Sequence, residues 1–255
     1  MMTERTAVEL FHLAFLSALR EAVGRDEFVV KGGANLRFYF GSPRYSEDID
    51  LDVPDAAPSR FSEKVARALD GRLLHRMLAT ENITIDRMNQ AERSQTKEKW
   101  KIGLAHPAMA YSASTRVEIS YREYPYPREA SVVEPMSSEM RRAYPHLHLP
   151  LVYHYLPAAA LEQKIIALKD RSATQPRDVF DLDILFRAYP DALRSGDIDR
   201  SLLSIAIDRT MSISYELYAA KVGAFLEPGL EHLATREHWN ALSLSVVDRL
   251  EELAR

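Results

Sequence analysis

The sequence predicts an α+β chain: a mixed sheet flanked by helices over residues 1–150, then a helical bundle over residues 151–255. Three observations carry this. Runs with the two-residue period of strands fall in the first half and middle of the chain. After Tyr155 the apolar residues take up helical spacing instead. Between them, residues 121–127 are broken by two prolines and residues 135–150 follow neither period, which puts a domain boundary near 150.

The elements follow in order. Residues 6–23 place Val8, Phe11, Phe15 and Leu19 on one helix face, and Gly24 ends the helix. Phe28, Val29 and Val30 form a short buried strand, Gly32 and Gly33 follow, and residues 34–40 read as a short helix. Residues 46–53 alternate polar and apolar as a strand does, and 54–58 is a loop. Residues 59–78 make one helix with Phe61, Val65, Ala68 and Leu69 on a common face. Strands are expected at 83–85, 100–104 and 116–121, and helices at 157–171 and 176–188, with two or three more helices to the end.

Composition narrows the chemistry. Hydrophobic residues make up 46% and charged residues 27% of the 255, enough apolar material for a sizeable core. The absence of cysteine excludes disulfides, thiolate nucleophiles and cysteine-ligated zinc. A metal would therefore sit on oxygen or imidazole ligands, and a carboxylate site favours Mg²⁺ or Mn²⁺. A net charge of −4 argues against a generally basic nucleic-acid coat but leaves room for a local basic patch. The apolar stretch 7–19 carries Glu9 and His12, follows Glu4 and Arg5, and lacks a small-residue cleavage pattern. It reads as an amphipathic helix rather than a signal peptide or membrane span, so no membrane partner and a cytoplasmic location are expected.

Residues 31–53 hold the most specific signal. Gly32 and Gly33 lie between a strand and a helix, where glycine lets the backbone approach a phosphate and the helix N-terminus offers free N–H donors. Asp48 and Asp50 are two apart on a strand, so both carboxylates share one face while Ile49 and Leu51 point to the core. Neighbouring carboxylates repel unless a cation sits between them. Paired Mg²⁺ ions resolve that repulsion, one activating an attacking hydroxyl and the other holding a triphosphate. Asp-x-Asp alone is also common on solvated edge strands. The series Asp48, Asp50, Asp52 begins like a calcium loop, but Val53 stands where that loop needs glycine and Ser59 where it needs glutamate. A Walker A loop and a Gly-x-Ser-x-Gly elbow are absent.

The order strand, Gly-Gly, short helix, Asp-x-Asp strand resembles the signature of the DNA polymerase β-type nucleotidyltransferase superfamily. The interval of 14 residues between Gly33 and Asp48 is longer than in many members. The form Lys31-Gly32-Gly33, then Arg44-x-Ser46-x-Asp48-x-Asp50, most resembles the AbiEii/AbiGii-type toxins of bacterial toxin–antitoxin pairs. The resemblance implies a nucleotidyltransferase-like sheet, with Asp48 and Asp50 as catalytic metal ligands and Lys31, Gly32, Gly33, Arg44 and Ser46 at the nucleotide. It also implies a third carboxylate on a neighbouring strand. Glu118, in the alternating run 116–120, is the best candidate; its other reading is an exposed strand glutamate.

Later helices add a second block. Leu161, Ile165 and Leu168 form a core stripe, while Lys164 and Arg171, seven apart, share another face and suit a triphosphate. Asp178 and Asp181, three apart, face the same way on the next helix, which opens with Pro176. Taken alone the block also fits a salt-bridged helix pair, with Arg177 and Asp181 at i,i+4. It resembles the later motifs of the AbiEii family. By that resemblance Lys164 contacts the phosphates, with Arg171 and Arg177 beside it. Asp178 or Asp181 orients the nucleotide or completes the catalytic site, the helical domain thereby finishing what the first domain begins. The resemblance spans about 29–185, and the last 70 or so residues match nothing nameable.

It further implies an NTP substrate, Mg²⁺ or Mn²⁺, an RNA acceptor such as a tRNA 3′ end, and an antitoxin encoded nearby. Transfer to a protein or to a small molecule of antibiotic type, or nucleotide binding without catalysis, are the rival readings. His146, His148 and His154 read as structural or surface histidines rather than a metal site. Residues 87–101 hold five basic and two acidic residues with Trp100 among them, and read as a solvated loop with an RNA contact as the alternative. Arg141, Arg142 and Tyr144 are similarly ambiguous.

Overall fold

The computed structural model describes residues 2–54, 58–121, 128–171 and 173–255. The prolines of segment 121–127 lie outside them, as does most of the expected loop at 54–58. The described chain divides into two compact units, one comprising Met1–Gly41 and Tyr45–Tyr155, the other Ser42–Arg44 and Leu156–Arg255.

The first unit opens with helix α1 (Glu4–Val23), capped by the Thr3 side chain and ended at Gly24, whose φ of 87° suits a residue without a Cβ. Strand β1 (Val29–Lys31) runs directly into α2 (Gly32–Tyr39), and β2 (Ile49–Val53) returns beside β1. The single helix expected over 59–78 is two, α3 (Pro58–Leu69) and α4 (Arg72–Thr80). The break falls at Gly71, an extended residue where a Cβ would lie 2.8 Å from the Arg67 carbonyl. Glycine's poor helix propensity lets the chain turn there.

The segment expected as a solvated loop at 87–101 is instead a hairpin of two long strands, β3 (Thr84–Arg93) and β4 (Lys97–Ala105). It is followed by β5 (Ala113–Tyr121). Two short strands, β6 (Ser131–Val133) and β7 (Tyr153–Tyr155), flank helix α5 (Ser138–Ala143) within a region that lacks any readable period.

These strands form one seven-stranded mixed sheet in the order β3-β4-β5-β2-β1-β7-β6. β2 is central, antiparallel to β1 and parallel to β5. Its Ile49, Leu51 and Val53, with Val117, Ile119 and Tyr121 of β5, bury one sheet face in a core shared with α1 and α3. Alternation then forces Asp50 of β2 and Arg116, Glu118 and Ser120 of β5 onto the opposite, open face, where they are only half-buried.

The second unit is helical: α6 (Pro157–Asp170), α7 (Pro176–Ala188), α8 (Arg200–Met211), α9 (Tyr215–Lys221) and α10 (Arg236–Ala254). Leu161, Ile165 and Leu168 are fully buried, as their spacing predicts, together with Leu182, Leu185, Leu203, Leu242 and Leu250. Ser42–Arg44 belongs to this unit, and Arg44 pairs with Leu226 through a single antiparallel bridge. Among the described residues no helix is long and apolar enough to cross a membrane.

Candidate active site

The open face of the sheet gathers the carboxylates that the Asp-x-Asp motif announces. Asp50 lies in register with Lys31 on one side and with Glu118 on the other. Neighbouring strands are about 4.8 Å apart, so Asp50 and Glu118 project side by side. Asp48 stands one residue before β2, on the same face. Gly32 lies hard against Asp50. Its φ is +65°, and a Cβ there would lie 2.6 Å from an Asp50 carboxylate oxygen. The glycine turn therefore makes room for the second aspartate of the motif. Gly33 lies in the first turn of α2.

Cations pair with this row, Arg116 and Lys99 among them announced by no motif. Arg116 grips Asp48 with two hydrogen bonds, Nε to Oδ1 at 2.9 Å and Nη2 to Oδ2. That hydrogen bonding, with the charges of Asp48, Glu118 and Glu47, outweighs partial burial and holds the guanidinium firmly protonated. Glu118 lies 3.5 Å from Arg116 and 3.2 Å from Lys99 of β4. Lys31, expected at the nucleotide, donates to Asp52 at 2.5 Å and to Ser120 at 2.9 Å, and Tyr155 donates to the other Asp52 oxygen at 2.8 Å. The period-2 signal that picked out Glu118 also contained Arg116. The pairing of β5 with β2, which makes Arg116 matter, is not readable from either strand.

Beneath the row runs a buried chain of hydrogen bonds. Thr115 Oγ1 donates to the Glu47 carbonyl at 2.8 Å, and His12 Nε2 lies 2.8 Å from the same hydroxyl. Since the threonine proton is used on Glu47, the His12 ring donates through Nε2–H. Burial lowers the His12 pKa to about 4, against a smaller upward pull from Asp48. Ser46, also expected at the nucleotide, donates to the Asp48 carbonyl at 2.7 Å. The backbone on either side of Asp48 is thus fixed from within.

Oxygen donors on adjacent strands, close enough to repel one another, are the chemistry that suits Mg²⁺ or Mn²⁺. The space kept over Gly32 for the Asp50 carboxylate agrees with that fit. Asp48 and Glu118 are turned toward Arg116 and Lys99, and among the described residues no three His, Asp or Glu side chains converge as a ligand set.

The helical unit holds a second cluster. Asp178 and Asp181, both fully buried, face Lys164 at 3.1 and 2.6 Å. Asp181 also binds both ways to Arg44 Nη2 at 3.0 and 3.2 Å, and Asp178 lies 2.9 Å from Arg171 Nε. Burial alone would raise the Asp181 pKa, but Arg44 and Lys164 hold it below the usual carboxylate value. Asp181 therefore takes Arg44 and Lys164 as partners, and Arg177 occupies the second position of α7.

The remaining sequence features separate. His146 pairs with Glu81 at 2.8 Å, while His154 is buried and stacked on Tyr39 at 3.6 Å. Burial lowers the His154 pKa to about 4. Trp100 is not placed to stack a base: it packs against the core, and its indole N–H donates to the buried Glu98 carboxylate at 2.5 Å. Tyr144 donates to Glu9, and Arg142 pairs with Glu139.

Comparison with known proteins follows the same lines. The family model described as "Nucleotidyl transferase AbiEii toxin, Type IV TA system" matches residues 14–252. The crystal structure of JHP933 from Helicobacter pylori is similar at a TM-score of 0.58 and 18% identity, covering 96% of this chain and 93% of that one. A second H. pylori structure, assigned provisionally as a nucleotidyltransferase, gives 0.59 and 18%, covering 98% of each chain. At such identity these neighbours speak for the fold, which is nucleotidyltransferase-like. A search of the curated proteins finds no match.

Proposed function

The chain belongs to the AbiEii nucleotidyl transferase toxin family of type IV toxin–antitoxin systems, and from that premise we propose that it moves a nucleotidyl group from an NTP to a hydroxyl of RNA, the 3′ end of a tRNA being the favoured acceptor. The observation that carries the reading is the row Asp48, Asp50 and Glu118 on the open sheet face, with Gly32 bare beneath Asp50.

In this reading those three carboxylates hold Mg²⁺ or Mn²⁺. When bound, the metal would acidify the acceptor hydroxyl and neutralise the triphosphate. The chain's own residues do the positioning. Thr115 and Ser46 fix the backbone around Asp48, which keeps its carboxylate on the same sheet face as that of Asp50. Gly32 and the first N–H groups of α2 lie beside Asp50, where a phosphate can approach the backbone. Arg116, once released from Asp48, would be a cation on the same face for the transferred charge. The acceptor oxygen bonds to the α-phosphorus, the bond to the β-phosphate oxygen breaks, pyrophosphate departs, and the hydroxyl proton goes to solvent. The family further implies a cognate antitoxin and action in the cytoplasm.

Incubating the protein with labelled NTPs, Mg²⁺ and cell lysate tests this. Label should enter the RNA fraction with wild type and be lost with Asp48→Ala and with chelator. Label in protein or a small product would replace the acceptor. Wild-type incorporation by Asp48→Ala would overturn the assignment, and failure to bind or turn over NTP would leave a non-catalytic partner protein.

A further inference from the structure

The hairpin segment that composition suggested was a loop contains a feature visible only once its register is known. β4 carries Lys97, Lys99 and Lys101 at alternate positions, so all three share one face. Glu98 and Ile102, at the alternate positions of the strand, are buried and Trp100 between them packs on the core, which identifies the lysine face as the open one. The register places Lys97 opposite Ser120, Lys99 opposite Glu118 and Lys101 opposite Arg116, and Glu118 in turn lies opposite Asp50. The lysine row is therefore two strands from the aspartates, about 10 Å at the usual strand spacing. Lys99 is tied to Glu118 at 3.2 Å. Lys97 and Lys101 are exposed, and among the described residues no carboxylate pairs with either.

We propose that this row is the track for the phosphate backbone of the RNA acceptor, leading its terminal hydroxyl to the carboxylates of β2. The proposal rests on the nucleotidyl-transfer reading above and adds the surface that the acceptor uses. Alternate residues of a strand are about 6.8 Å apart, so the row is a straight ladder of cations. Such a ladder complements a linear polyanion, whereas a small acceptor seated at Asp50 would not span the distance to it. The chain as a whole is acidic, at −4, so three lysines in line on β4 are a local departure from it, beside the carboxylates of β2 and β5. Lys99 and Arg116 already have carboxylate partners, which leaves Lys97 and Lys101 as the cations open to phosphate.

The test uses the full chain, a fluorescent single-stranded RNA oligonucleotide, and the variants Lys97→Glu/Lys101→Glu and Lys97→Arg/Lys101→Arg. Affinity is measured against salt concentration, and NTP·Mg²⁺ affinity is measured separately. Each phosphate contact on a single strand contributes about −0.7 to the slope of log K against log salt. The charge-reversed variant should lose at least about tenfold in RNA affinity and about 1.4 in slope magnitude. Its NTP affinity and unfolding midpoint should stay at wild type, and the arginine variant should bind RNA as wild type does. Equal RNA affinity and slope in wild type and the glutamate variant would overturn the track while leaving nucleotidyl transfer standing. Failure of wild type to bind the oligonucleotide at any salt, with transfer to a protein or small molecule intact, would overturn the track and the RNA acceptor together. Loss of NTP binding and transfer in wild type, with oligonucleotide binding retained and sensitive to Lys97 and Lys101, would instead sink the enzymatic reading and keep the surface.

Discussion

The two charge clusters are made of the same kinds of side chain and differ in their surroundings. On the sheet, Asp48, Asp50 and Glu118 meet Lys99 and Arg116 on a half-open face, with an excess of carboxylate. In the helical unit, Asp178 and Asp181 are sealed from solvent and meet Lys164, Arg44 and Arg171, with an excess of cation. An ion pair at a half-open face gains little and can exchange partners. A buried pair is committed, because removing one member strands the other in low dielectric. On the proposed function the first cluster would trade its partners, whereas the second would keep them.

Mutation should separate these roles. The largest effect is expected at Asp50→Asn, which should lower nucleotidyl transfer by about a thousandfold or more, since a metal site supplies several kcal/mol of transition-state stabilisation. Its urea unfolding curve should stay close to wild type. A loss of stability matching the loss of activity would erase the contrast. Asp181→Ala should do the reverse, costing about 3–5 kcal/mol in unfolding free energy by stranding Arg44 and Lys164. A cost below about 1 kcal/mol would mean that the buried cluster relaxes as freely as the open one.

Acid sharpens the comparison next. His12 is buried neutral with a pKa of about 4, below its unfolded value of 6.5. The unfolded chain therefore takes up the proton first. Stability contributed by keeping His12 neutral is intact above pH 6.5 and is lost as the pH falls toward 4, by up to about 3 kcal/mol. Unfolding free energies at pH 7 and 4.5 should show a drop that His12→Gln reduces, and an unchanged drop in the variant would assign the loss elsewhere. His154 should add a similar decline over the same range. The smallest effect is expected at Gly32→Ala, about 1–2 kcal/mol of strain at φ +65°. Its cost in transfer should exceed its cost in stability, because the new methyl displaces the Asp50 carboxylate; parallel losses would make Gly32 a turn residue only.

The sequence made the motif legible because Asp48 and Asp50 share a period with their buried neighbours Ile49 and Leu51. α1, α6 and α7 were legible for the same reason, each carrying a long apolar stripe. Three-residue strands such as β6 and β7 are too short to show a period, so the far edge of the sheet was invisible. The break at Gly71 was concealed by apolar spacing that continues on both sides of it. Arg44 sits four residues before Asp48, yet its partner is Asp181, 137 residues away. Arg116 likewise meets Asp48 across 68 residues. Pairings of this kind are set by the closing of the chain, and no local spacing encodes them.

The clasp between Arg116 and Asp48 bears on how the protein matures. β2 and β5 must lie side by side with acidic groups on both, an arrangement that mutual repulsion would oppose. On the proposed metal-dependent reading, Arg116 would serve as falsework under that arch, letting the strands close before a dication arrives and being struck once one does. Newly made chain could therefore fold in full where magnesium is scarce, and chelation should silence it without unfolding it.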